Sequence, residues 1–241
     1  MYTLHSHQFF IPQLQRDRTI KVLMPKDYET NSRRYPVIYM HDGQNLFDPA
    51  TAFASDWKIP NTLKKQPLKR QAILVGIYNG EMNRMNEYAP YKKGKNGGEG
   101  EPYTRFIMDT LKPFIDKEYR TFPQRETTGI AGSSMGGLIS LYAGLKYGNI
   151  FGKVGALSPS IWFNPQIIEV INQTPIKSQF YVAGSKTEMR SMEATLQKTY
   201  WAFKNAGFSD NLVRVVVRDR GKHNEIMWSQ EFKKMYEWFF Q

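Results

Sequence analysis

The sequence predicts an α/β fold built on a mostly parallel sheet. Three observations carry that expectation. Short apolar, β-branched runs alternate with stretches of helical apolar spacing. The interior runs are continuously apolar, as strands covered on both faces are. One of them ends in a glycine-rich turn that opens a helix. In order, residues 3–11 and 18–24 are expected as an opening antiparallel pair, followed by buried strands in YPVIYMHDG (35–43) and AILVGIY (72–78). ETTGIAG (126–132) is a strand entering the glycine turn, and 135–147 is the helix that leaves it. KVGALSPS (153–160), SQFYVAG (178–184) and LVRVVVR (212–218) supply three more strands, while 104–118, 188–206 and 225–240 have helical spacing. No repeat or linker interrupts residues 1–241, so one domain is expected. The irregular stretch YKKGKNGGEGEP (91–102) is too glycine-rich and polar to order itself without help, and is expected as a mobile surface loop, a candidate lid.

Composition narrows the function. The 241 residues are ample for a sizeable core, and the lack of cysteine excludes a disulfide scaffold, a thiolate metal site and a cysteine nucleophile. A formal charge of +11 gathers in 16–34, 58–70 and 91–95. It reads either as a solvated basic surface or as attraction to an anionic substrate. No nucleic-acid motif accompanies the charge, so nucleic acid is not an expected partner. The N-terminal stretch lacks a basic start followed by an apolar run, and no apolar run is long enough to span a bilayer. The expectation is a cytoplasmic protein with no membrane partner and no signal peptide.

The stretch GIAGSSMGGLISLYAG (129–144) poses a choice between cradling a phosphate and presenting a nucleophile. A dinucleotide fingerprint needs an acidic residue about 20 positions beyond its glycines. None occurs between Glu126 and Glu169. GSKT (184–187) resembles a P-loop, but Gln179 stands where the first glycine belongs. Gly132-Ser133-Ser134-Met135-Gly136, by contrast, fits G-x-S-x-G between a strand and a helix. There a serine is pushed into a strained, exposed position and the helix N-terminus faces the developing oxyanion. Ser134 is the candidate nucleophile, and Ser133 fits the motif less well.

A serine needs a base, and there are four histidines. His5 and His7 form an H-x-H pair near the N-terminus, a weak metal pattern, and His41 ends a buried strand as a structural residue. His223, in RDRGKHNEIMW, falls between the last strand and the last helix, where the chain order Ser…Asp/Glu…His of α/β-hydrolases puts the base. Glu188 is the first carboxylate beyond SQFYVAG and is the candidate third member; Asp219 is the alternative, and a bare Ser–His dyad is a further one. The oxyanion donors are expected to be the backbone N–H groups of Met135 and, from the HDGQN loop, of Gln44.

YPVIYMHDGQNLFD, RMNEYAP, the block from 126 to 163 and GKHNEIMW together resemble the esterase family of α/β-hydrolases. That family contains enterochelin (siderophore) esterases, esterase D-like enzymes, feruloyl and acetyl-xylan esterases, and mycolyltransferases. The resemblance runs over nearly the whole chain. It implies an α/β-hydrolase fold, Ser134 as nucleophile, His223 as base, Gln44 and Met135 as oxyanion donors, and neither cofactor nor metal. It supports Glu188 without deciding it, because the family's acidic residue varies. It also implies a pocket lined from the stretches holding Asn45, Phe47, Trp57, Arg84, Glu87, Tyr88 and Trp162, although core packing competes for each aromatic. Arg84 and Glu87 are equally readable as an ion pair. The implied activity is hydrolysis of a small acyl or siderophore ester through an acyl-enzyme. The basic balance, with Lys92, Lys93 and Lys95 on the candidate lid, would suit an anionic siderophore. An acyltransferase, a carbohydrate esterase and a binding protein on an inactive scaffold are the alternatives.

Overall fold

A computed structural model describes residues 2–241. Its strands are β1 (Leu4–Ile11), β2 (Arg16–Leu23), β3 (Val37–His41), β4 (Ile73–Ile77), β5 (Thr128–Ser133), β6 (Lys153–Leu157), β7 (Gln179–Ser185) and β8 (Val213–Arg218). They form one sheet in the order β1-β2-β4-β3-β5-β6-β7-β8. β1 pairs antiparallel with β2 and β2 with β4; every pairing from β4 to β8 is parallel. This is the architecture expected of an α/β-hydrolase. Continuous apolar runs mark its middle: every residue of β3, β4 and β5 is buried, whereas the edge strands β1 and β8 are partly exposed.

Helices cover both faces. α1 (Ile59–Lys64) and α8 (Glu225–Phe239) pack Leu63, Trp228 and Phe232 on one side. On the other lie α3 (Gly100–Arg105), α4 (Lys112–Glu118), α5 (Met135–Lys146), α6 (Ile167–Gln173) and α7 (Met192–Asn205), burying Tyr103, Leu138 and Phe203 among others. A short α2 (Arg84–Glu87) precedes them. The expected helix 104–118 is a run from Gly100 to Glu118 that widens to a π-turn at Phe106–Leu111. Pro113 sits just beyond, where its missing N–H interrupts the regular ladder. α1, α2 and α6 were not expected; with 6, 4 and 7 residues they are too short for apolar periodicity to declare itself.

Residues 91–102 depart from the expectation. The segment is tied down: Tyr91 N–H donates to Asn164 Oδ1 (3.1 Å), Gly97 N–H to Asn86 Oδ1 (2.8 Å) and Gly98 N–H to the Ala89 carbonyl (2.9 Å). Two asparagine side chains outside the segment supply the partners that its own sequence lacks. α3 already begins at Gly100.

Candidate active site

β5 delivers the chain, fully buried, to Ser133. Ser134 then turns through φ 56°, ψ −120°, and α5 starts at the next residue. Such a conformation in a non-glycine residue costs about 1–3 kcal/mol and persists only where its surroundings hold it. Here Ser134 N–H donates to the Leu157 carbonyl (2.8 Å), and its own carbonyl accepts from Ser160 N–H (3.0 Å) and Leu138 N–H (3.1 Å). Gly132 is required at this turn, because a Cβ there would lie 2.8 Å from the Gly136 carbonyl carbon and 3.0 Å from the His41 ring.

The loop after β8 carries His223 over the turn. Its Nε2 is 2.9 Å from Ser134 Oγ and its Nδ1 is 3.1 Å from Glu188 Oε2. The carboxylate on one side assigns the ring proton to Nδ1 and leaves the Nε2 lone pair facing the hydroxyl. The imidazole stands edge-on to Trp228, with ring centroids 5.0 Å apart. Asn224, the next residue, caps α8 by accepting from Met227 N–H, which fixes where the loop ends.

The Glu188 side chain is fully buried. Burial alone would push its carboxyl up, but hydrogen bonds from His223, Ser158 and Ser185 N–H (2.6 Å) outweigh that and hold it below the usual carboxylate value. Ser158, itself at φ 46°, accepts from the Trp228 indole N–H (2.9 Å). Asp219, the alternative acid, is 89% exposed and pairs with Lys186 (2.9 Å). The structure therefore brings Ser134, His223 and Glu188 into one hydrogen-bonded line and leaves Asp219 outside it. A further hydroxyl, Ser160 Oγ, lies 3.2 Å from Ser134 Oγ.

Opposite this line, the turn after β3 puts Asp42 at φ 54° and continues as Gly43–Asn45. Asp42 accepts from Arg84 Nε (2.7 Å) and Nη2 (2.8 Å) and from Asn79 Nδ2 (2.9 Å). Burial would raise its pKa; the guanidinium holds it low, so the carboxyl stays ionised. Gln44 Oε1 accepts from Asn79 N–H (3.2 Å), tying the same turn to the end of β4. As the first residue of α5, Met135 has an N–H without an intrahelical acceptor.

A cleft of about 730 Å³ opens between the two sides, and Ser134, His223, Gln44, Asn45, Arg84 and Trp228 all line it. Five expected pocket residues, Glu87 among them, do not. Tyr88 is fully buried and its OH accepts from Asp42 N–H. Trp57, 2% exposed, packs on Trp228 and Phe232 from behind. Phe47 lies over Gly76, and Trp162 sits half exposed under the Lys93 ammonium at 5.0 Å. For Tyr88, Trp57 and Phe47 the apolar core claims the ring, which sequence position alone does not reveal. Nor do Arg84 and Glu87 pair with each other. Arg84 takes Asp42, while the buried Glu87 takes Arg18 (2.8 Å) and Arg16 (3.1 Å). No residue of 91–102 lines the cleft, so the segment is not placed as a lid.

Reading of the sequence missed Ser158, Ser160 and Asn79, and quoted Asp42 without a role. The Ser-Pro-Ser after β6 was the available signal, mistaken for the end of a strand. His5 and His7 share the Tyr119 hydroxyl (3.1 and 2.7 Å). Among the described residues no group of three or more potential ligands is placed to hold a metal.

Comparison with known proteins turns this geometry into a family. A family model described as "Putative esterase" matches residues 11–238. The chain belongs to this esterase family. It is an ester-hydrolysing enzyme of the α/β-hydrolase type. Among the relatives of the esterase is the uncharacterized protein YbbA of Bacillus subtilis (strain 168), 25% identical over 240 residues, covering 93% of each chain. A solved ferulic acid esterase superposes with a TM-score of 0.78 at 19% identity, covering 100% of this chain and 98% of its own. The enterobactin esterase FES of Shigella flexneri gives 0.78 at 18% identity, with 98% of this chain and 58% of that one covered. At these identities the two structures speak for the fold.

Proposed function

We propose that the esterase cleaves carboxylic esters through a covalent acyl-enzyme on Ser134. The observation that carries this reading is the line Ser134 Oγ–His223 Nε2 (2.9 Å) and His223 Nδ1–Glu188 Oε2 (3.1 Å) at the floor of the cleft. His223 takes the Ser134 proton as Oγ attacks the ester carbonyl. Glu188 holds the Nδ1–H tautomer and stabilises the imidazolium that forms. The carbonyl oxygen, now an anion, is received by the N–H groups of Gln44 and Met135. Collapse of the tetrahedral intermediate breaks the C–O bond, and His223 returns its proton to the leaving alcohol. A water activated by the same imidazole then hydrolyses the acyl-enzyme.

The names of similar structures, ferulic acid esterase and enterobactin esterase, make ferulate esters and siderophore esters substrate classes to try. Hydrolysis of p-nitrophenyl esters from acetate to octanoate by wild type and Ser134→Ala tests the mechanism. Release of nitrophenol that disappears in the variant is the expected result; equal rates in both overturn it.

A further inference from the structure

The charge of the cleft is opposite to the charge of the chain. Of the 241 residues 33 are Lys or Arg and 22 are Asp or Glu. The cleft nevertheless contains no lysine; its charged lining is Asp42, Glu81, Glu225 and Arg84. Arg84 gives both its donors to Asp42 at 2.7 and 2.8 Å, so its charge is matched inside the wall. Neither Glu81, which is exposed, nor Glu225, which is nearly buried, has an ion-pair partner among the described residues, and Glu188 adds another negative charge behind His223. Arg16 and Arg18, in an adjoining depression that shares Tyr78, Asn79 and Glu81 with the cleft, are paired with Glu87 at 3.1 and 2.8 Å, and among the described residues no Lys or Arg other than Arg84 lines the cleft itself. Lys93 donates to the Trp162 carbonyl (3.1 Å), Lys58 and Lys65 line a separate small groove, and Lys222, although adjacent to His223 in sequence, is outside the cleft lining. The remaining feature of the mouth is apolar: Phe53 lines the cleft and is 91% exposed.

We infer that the esterase selects uncharged esters with an apolar body, which meets Phe53, and that Glu81 and Glu225 discriminate against anionic ones. Carboxylates lining a cleft make its potential negative and so repel an approaching anion, and dissolved salt screens that repulsion. The same two carboxylates penalise an anionic ester most in the transition state, when the carbonyl oxygen also becomes negative. The net charge of the chain thus points the wrong way for its substrate. This inference rests on the serine-esterase reading above.

A matched pair of acetyl esters tests it: methyl 4-acetoxybenzoate, uncharged, and 4-acetoxybenzoate, its anionic counterpart, each normalised to its hydroxide-catalysed rate. At low ionic strength kcat/KM is expected to favour the uncharged ester by about 10-fold, a preference that shrinks in 1 M salt by about the same factor. Glu81→Gln and Glu225→Gln each narrow the preference about 3-fold, and Glu81→Lys narrows it further. Glu81 is solvent-exposed, so its variants test the idea even if Glu225→Gln weakens the start of α8. Phe53→Ser is expected to raise KM for the aryl ester about 3-fold relative to methyl acetate. Equal normalised rates at low salt, or a preference that ignores both glutamate substitutions, overturn the inference alone. Absence of phenol release from both esters, or equal release by Ser134→Ala, overturns the esterase mechanism and the inference with it.

Discussion

The end of β3 and the loop after β8 each hold a histidine beside the Ser134 turn, yet they make opposite uses of it. His41 is 1% exposed, wedged against Gly132 and Gly136, with Nδ1 on the Tyr103 hydroxyl (2.9 Å). Burial lowers its pKa to about 3, and its neighbour Asp42 is already committed to Arg84 and Asn79. His223 keeps 30% of its side chain exposed and has its own buried carboxylate. An imidazole can cycle through its charged form only where a counter-charge receives it. The difference between the two sites is therefore the carboxylate, not the histidine.

The widest separation should come from removing each ring. His223→Ala is expected to lower kcat by a factor on the order of 10⁵ while leaving urea unfolding unchanged. His41→Ala should cost about 2–4 kcal/mol in unfolding free energy through the cavity it leaves, with a far smaller fall in kcat for the folded fraction. A comparable loss of kcat in both would erase the distinction. Next in size is the choice of acid: Glu188→Gln should lower kcat about 10³- to 10⁴-fold, since an amide can hold the wrong tautomer, and Asp219→Asn should leave it unaltered. The reverse ranking would move the acid to the exposed position.

The pH dependence of stability sharpens the comparison further. The unfolded chain protonates His41 near its ordinary value of 6.5, whereas the folded chain keeps it neutral down to about 3. Between those values the unfolded state binds the extra proton, so this contribution to stability is present above pH 6.5 and is lost as the pH falls. Urea titrations of wild type should show a steeper decline than His41→Asn, by about 1.4 kcal/mol per pH unit across that window. Parallel slopes would mean that His41 is charged in the fold. The smallest effect belongs to Ser158, which joins Trp228 to Glu188. Ser158→Ala should lower kcat about 3- to 10-fold, in keeping with one lost hydrogen bond of about 1 kcal/mol, and leave KM alone. A change confined to KM would place Ser158 in substrate binding.

The same contrast marks what the sequence made legible. Ser134 could be named because a strand, a G-x-S-x-G turn and a helix are all local features, and His223 and Glu188 because each follows a recognisable strand in a fixed chain order. Trp57, Phe47 and Tyr88 misled because their neighbours in sequence do line the cleft while their own rings turn into the core. For Arg84 the ion-pair alternative with Glu87 does not form, for a related reason, although Arg84 does line the cleft. Glu87 is three residues away on a helical turn, but Arg84 takes Asp42, which arrives from the turn after β3. Residues 91–102 looked unanchored because Asn86 and Asn164 lie outside the segment. Residue contacts set by tertiary packing leave no local trace.

Intact-mass analysis with a fluorophosphonate probe, followed by peptide mapping, tests the central claim most directly. One adduct per chain on the peptide carrying Ser134, formed rapidly in wild type and abolished in His223→Ala, is the predicted result. No adduct on wild type, or an adduct on another residue that forms as readily in Ser134→Ala, would contradict the account.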